Sequence, residues 1–147
     1  MHLYVFGNGN LVFSDFLKYY YEPLSTLAHD SDVHFLVCDF RGVDTMAMEC
    51  LKSLTPNVHV YHVGDRPRYL PDTYQTRVSQ WQLVGGFVED ADRDAAAISV
   101  CTHFLAYDFN SNASRKSGTL RNIEQCLTLE KCNLAGKTGE EIAKFRG

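Results

Sequence analysis

Ser117-Gly118-Thr119 is the run of this 147-residue chain whose residue types and position best suit chemistry. It follows a polar loop of Asn, Ser, Ala and Arg, which is preceded by the apolar, aromatic stretch Phe104 to Phe109. After it, Leu120, Ile123 and Leu127 recur at i, i+3 and i+7, a helical spacing. Strand, small polar loop and helix start is how α/β proteins hold phosphate. The first-turn N–H groups have no intrahelical acceptor, and the helix dipole is positive there. Gly118 carries no Cβ to obstruct a ligand. Ser117 and Thr119 bring hydroxyls, and Arg115 and Lys116 bring positive charge. A plain N-cap role for Ser117 stands beside this reading.

Two more polar loops follow apolar stretches. Gly7-Asn8-Gly9-Asn10 is part of a dinucleotide fingerprint, but Val12 stands where a third glycine would fall, so a tight turn is the stronger reading. In Asp39-Phe40-Arg41-Gly42, Arg41 is a candidate anion contact and Gly42 a position of close approach. Asp44 is either the N-cap of the next helix, favoured on the residues alone, or a carboxylate aimed at a ribose hydroxyl. Asn122, one turn into the last motif's helix, faces either ligand or solvent.

The elements that must position these loops read as β-α-β-α-β. Leu3 to Phe6, Val33 to Cys38 and Val58 to Val63 are the strands. Between them lie helical patterns carrying Phe13, Leu17, Tyr20, Leu24 and Leu27, kinked or ended by Pro23, and then Val43, Ala47, Cys50 or Leu51, and Leu54. A further helix over 90–101, with Ala95, Ile98 and Cys101 inward, leads to the fourth strand, Phe104 to Phe109. Lys131 to Leu134 makes a weak fifth. This predicts an α/β fold, a Rossmann-like, doubly wound, mainly parallel sheet with helices on both faces. In strand order 3-2-1-4 the winding reverses between strands 1 and 4, and ligands bind beyond the carboxyl ends of the strands there. All three polar loops leave those ends.

Length predicts a single domain over 1–147. Residues 64–86 read as an irregular insert, with a helix around Thr73 to Leu83, in which Trp81 and Tyr74 are candidates to cover a bound base. The tail, 132–147, holds a short helix with Thr138 and Glu141 as a capping box. A formal charge of −4 argues against a nucleic-acid polymer as partner but not against a mononucleotide. No run suits a membrane span or a signal peptide, so the expected location is cytoplasmic. The five cysteines form no C-x-x-C pair and the six histidines no i, i+4 pair, so neither a metal nor a cofactor is expected.

Four stretches together, VFGNGN, DFRGVDTMAME, GGFVEDADRDAAAISVCTHFLAYD and SRKSGTLRNIEQCL, resemble the SLOG superfamily of Rossmann-like nucleotide-binding proteins. That group includes the cytokinin-activating phosphoribohydrolases and the DNA-processing protein DprA, and the match is to its small single-domain branch. The resemblance implies a nucleoside phosphate or nucleotide-sugar ligand and frequent homodimers. It puts the phosphate on the Ser117-Gly118-Thr119 turn and the ribose or base near Gly7 to Gly9 and Asp44, and the three loops together offer Gly7, Asn8, Gly9, Asp39, Arg41, Gly42, Asp44, Ser114, Lys116, Ser117, Gly118, Thr119 and Asn122 as candidate ligand-binding residues. The phosphoribohydrolases carry a glutamate at the position of Asn122, and a Pro-Gly-Gly where this chain has Arg115-Lys116-Ser117. Two functions follow. One is a binding module, a sensor or sink that leaves its ligand unchanged. The alternative is an N-glycosidase, phosphoribohydrolase or deoxyribosyltransferase-like, with a replacement carboxylate, Asp44 first.

Overall fold

A computed structural model describes residues 1–146. Its strands are β1 (His2–Val5), β2 (His34–Cys38), β3 (Val58–Val63), β4 (Gln82–Phe87), β5 (His103–Leu105) and β6 (Cys132–Asn133). They form one sheet, every neighbouring pair parallel, in the order β4-β3-β2-β1-β5-β6. The helices are α1 (Phe13–Phe16), α2 (Glu22–Leu27), α3 (Val43–Leu51), α4 (Asp90–Val100), α5 (Gly118–Thr128) and α6 (Gly139–Arg146).

Both faces of the central strands are covered, which is why they read as unbroken apolar runs. Side chains alternate across a strand. Leu3 and Val5, Phe35 and Val37, and Val58 and Val60 face one core, packed by α1, α2, α3 and Ile142 of α6. Tyr4, Phe6, Leu36, Cys38, Tyr61 and Phe104 face the other, packed by Ala97 and Ile98 of α4 and Cys126 of α5. Each such large side chain contributes about 1.5–3 kcal/mol on full burial. The chain moves outward from β1 through β2 and β3 to β4, then returns to the other side of β1 as β5. The winding therefore reverses between β1 and β5.

Several sequence expectations change. The order 3-2-1-4 is present as β3-β2-β1-β5, with the weak strand expected over Lys131 to Leu134 found beside β5 as β6 and an unexpected strand, β4, at the other edge. Where a helix over 73–83 was expected, a 3-10 turn at Val78–Gln80 precedes β4. That strand pairs on one side only and carries Gly85 and Gly86, so neither burial nor β-propensity marks it. Gly85 is required there, because a Cβ would occupy the ring of His62. The fourth expected strand stops at Leu105: beyond it, Tyr107 N donates to Tyr20 Oη (2.9 Å) and Phe109 N to Asn8 Oδ1 (2.7 Å), replacing the ladder. Pro23 does not end its helix. It sits in the first turn of α2, directly after a π turn at Leu17–Tyr21 that joins α1 to α2. In α5 the buried positions are Thr119 and Cys126, and Leu127 is exposed. In α4 they are Arg93, Ala97 and Ile98, not Ala95.

Candidate functional site

A cleft of about 570 Å³ opens at the carboxyl ends of β1, β2 and β5. The loop after β1 and the loop after β2 touch through their backbones at Gly42. Its φ of +75° favours glycine, and a Cβ there would lie 2.5 Å from the carbonyl oxygen of Asn8. The side chains of Phe40 and Arg41 lie across Gly9, where a Cβ would come within 2.7 Å of the Phe40 ring.

Asn8 ties the first loop to the third. Its amide donates to Asp108 Oδ1 at 2.9 Å and to Thr119 Oγ1 at 3.3 Å, while its Oδ1 accepts from Phe109 N. Burial opposes the charge of Asp108. Hydrogen bonds from Ser111, Asn8, Ser117 and the Asn110 N–H outweigh it and hold the carboxyl down at about 2. The Ser117 hydroxyl is fully engaged, donating to Asp108 Oδ1 (2.7 Å) and accepting from Leu120 N (3.0 Å) as the N-cap of α5. It is therefore not a free donor for a ligand. The N–H groups of Gly118 and Thr119 begin α5 and have no intrahelical acceptor. Thr119 Oγ1 accepts from Asn8, which leaves its own proton free to donate outward. In front of Gly118 there is open space: a Cβ would meet nothing within 4 Å.

The opposite wall comes from α4. Arg93, buried, pairs with Asp39 at 2.7 Å, Asp90 at 2.9 Å and Asp94 at 3.0 Å. Arg68 adds a fork onto Asp39 and a 2.7 Å pair with Asp90. Burial works against the charge of Asp39, but the Arg68 and Arg93 hydrogen bonds hold its carboxyl below the usual range. Asp44 differs. It is buried in the first turn of α3, where it accepts from Phe40 N at 3.0 Å, and burial pushes its carboxyl up to about 8 against the pull of that bond and of Arg93. The N-cap of α3 is Gly42, so Asp44 reaches back to brace the preceding loop instead of capping a helix N–H.

Of the residues singled out from the sequence, Gly7, Asn8, Gly9, Arg41, Asp44, Ser117, Gly118, Thr119 and Asn122 line this cleft. Asn122 faces it but is held by Asp94, whose Oδ2 accepts from its amide at 3.0 Å. Four others are not on its wall. Asp39 is enclosed by the two arginines, Gly42 packs against loop backbone, Ser114 turns back to Asn112, and Lys116 pairs with Glu124 at 2.8 Å. Trp81 is also elsewhere: it is core, its indole N–H donating to Thr55 O. Tyr74 is exposed and away from the cleft. Asp90, Arg93 and Asp94 were missed as cleft residues. The dense charge of Glu89 to Asp94 was their signal, but only with β4 recognised does it fall at the rim. Arg41, stacked on Phe40 at 4.8 Å, and Arg115 are lining cations that form no ion pair among the described residues.

Also among the described residues, no helix is long and apolar enough to cross a membrane. No protein-family model matches the chain, and no curated protein matches it in sequence. Among solved structures it is similar to DNA processing protein A from Helicobacter pylori, a protein with a single-stranded DNA binding mode. The TM-score is 0.57 at 9% identity, over 91% of this chain and 75% of that one. The fold is thus a Rossmann-like α/β fold shared with that protein. The expectation that a nucleic-acid polymer is excluded is corrected by this neighbour, since the same architecture carries single-stranded DNA binding. Net charge sums over the whole surface, whereas a cleft lined by one sign of charge can attract a polyanion locally.

Proposed function

We propose that the chain binds a phosphorylated nucleoside in this cleft, its phosphate against the N–H groups of Gly118 and Thr119, and holds it unchanged as a sensor or sink. The observation that carries this reading is the unobstructed space before Gly118 at the start of α5, with the unpaired Arg115 on the same wall. Membership of the SLOG superfamily and assembly as homodimers belong to the proposal. The shared fold and the motif runs around Gly9, Gly42 and Gly118 support the first of these. Asn122, in place of a catalytic glutamate and already bonded to Asp94, supports binding without turnover. A free nucleotide and a phosphorylated nucleotide within a single strand present the same chemistry, and the second is the ligand class of the Helicobacter pylori protein.

The test is calorimetry with the four nucleoside 5′-monophosphates and with 5′-phosphorylated single-stranded oligonucleotides. Arg115→Gln should weaken binding roughly tenfold or more, the scale of one charge-assisted hydrogen bond. It should also flatten the salt dependence. Wild-type protein that binds neither ligand class would remove the proposal.

A second reading, cleavage of the N-glycosidic bond, is favoured by one observation. Two carboxyl groups, Asp44 and Asp94, line the cleft in contrasting surroundings, one pushed up to about 8 by burial, the other ion-paired to Arg93. Such pairs divide acid and charge-stabilising roles in glycoside chemistry. Chromatographic detection of free base after incubation, lost in Asp44→Asn, would favour this reading over simple binding.

A further inference from the structure

Beside the cleft lies a second hollow of about 330 Å³, formed by Asp39, Phe40, Arg41, Thr45, Arg68 and Tyr69. Phe40 and Arg41 line both spaces, so a single ridge, seated on Gly9, divides them. The hollow exists because the segment after β3 folds back over the end of β2. Arg68 N and its guanidinium grip Asp39 at 2.9 and 3.2 Å, and Tyr69 Oη donates to Glu49 at 2.8 Å. Its walls have the character of a base site. Two aromatic rings, Phe40 and Tyr69, line it, the first carrying the Arg41 guanidinium at 4.8 Å. The Arg68 guanidinium lies 5.8 Å from the Phe40 ring, and Thr45, whose hydroxyl donates to Gly42 O at 3.0 Å, offers an oxygen that can only accept. Arg68 is neutralised by Asp39 and Asp90, so it offers a flat cation face more than a free charge. On the ridge, Arg41 has no ion-pair partner among the described residues. The unpaired cations thus stand in two places, Arg115 in the cleft and Arg41 between cleft and hollow.

We infer that the hollow is a second base subsite, and that the ligand is at least a 5′-phosphorylated dinucleotide. Its terminal phosphate occupies the α5 turn, its internucleotide phosphate meets Arg41, and its second base enters the hollow against the Tyr69 ring. This rests on the phosphate reading of the cleft and adds the ligand's length to it.

The experiment compares affinities for nucleoside 5′-monophosphates and for the matching 5′-phosphorylated dinucleotides, ribo and deoxy. The proteins are wild type, Tyr69→Ala, which removes a wall, and Thr45→Phe, which fills the hollow. The expected result is that the dinucleotide binds wild type roughly tenfold or more tighter than the mononucleotide, the scale of one base–aromatic stack. That advantage should disappear in both variants while mononucleotide affinity is retained. A dinucleotide no tighter than the mononucleotide, or an advantage that survives both substitutions, overturns the subsite and leaves the cleft reading standing. Failure of wild type to bind either ligand overturns both. Retained mononucleotide binding reports that a variant is folded, and Thr45→Phe decides alone if Tyr69→Ala is not.

Discussion

Asn8 and Asp108, a hundred positions apart, meet at 2.9 Å and lock the first loop of the sheet to the third. Asn8 also holds Thr119 and the Phe109 N–H, so one buried amide joins the loop after β5 to the start of α5. Asn8→Ala leaves the Phe109 N–H without its acceptor and strips Asp108 and Thr119 of a donor. The expected cost is about 1–3 kcal/mol of stability, read from the urea midpoint, with nucleotide affinity falling in parallel. Unchanged stability would show that the loops are held by other means.

Gly118→Val should separate folding from binding. No neighbour lies within 4 Å of the Cβ position, and no left-handed backbone is required there. The thermal midpoint should therefore fall by no more than a few degrees, while the new side chain fills the anion seat and lowers affinity at least tenfold. A variant that binds as wild type does would move the phosphate away from α5.

Asp44 makes stability depend on pH in a direction opposite to most carboxylates. Its folded value of about 8 lies above the roughly 3.9 of an unfolded Asp, so between those limits the folded chain holds the extra proton. Its contribution is full below about pH 4 and is lost as pH rises through about 8. Asp44→Asn carries no such titration. Urea midpoints at pH 5 and pH 9 should differ less in the variant than in wild type, and equal differences would contradict the buried, protonated carboxyl.

Arg93→Met should be the most damaging substitution around the cleft. The guanidinium is the shared partner of Asp39, Asp90 and Asp94, and the Asp39 side chain is fully enclosed. Removing one member of a buried ion network strands charge, at a cost of about 3–5 kcal/mol. Guanidinium-chloride unfolding measures it. A loss below about 1 kcal/mol would mean that Arg68 alone satisfies Asp39.

Local pattern was enough to reveal the central strands β1, β2 and β3, the strand at Phe104, the weak edge strand within Lys131 to Leu134, the helices over Phe13 to Leu27, Val43 to Leu51 and Asp90 to Val100, the start of α5 after Ser117, the last helix after Thr138, and the three polar loops at one rim. Each of these is written in periodicity, because residues that share a buried face recur at the spacing of their element. Tertiary structure alone decided the rest. It made β4 a strand by pairing a Gly-containing edge to β3, and so carried the start of α4 to the cleft. It joined Arg93 to Asp39 across 54 positions and turned Asn8 from a presumed turn residue into the amide that holds two loops together. It also enclosed Asp44 and thereby pushed its carboxyl up to about 8. Polar pairings of this kind depend on which loops the fold brings within 3 Å, and no spacing along the chain encodes that distance.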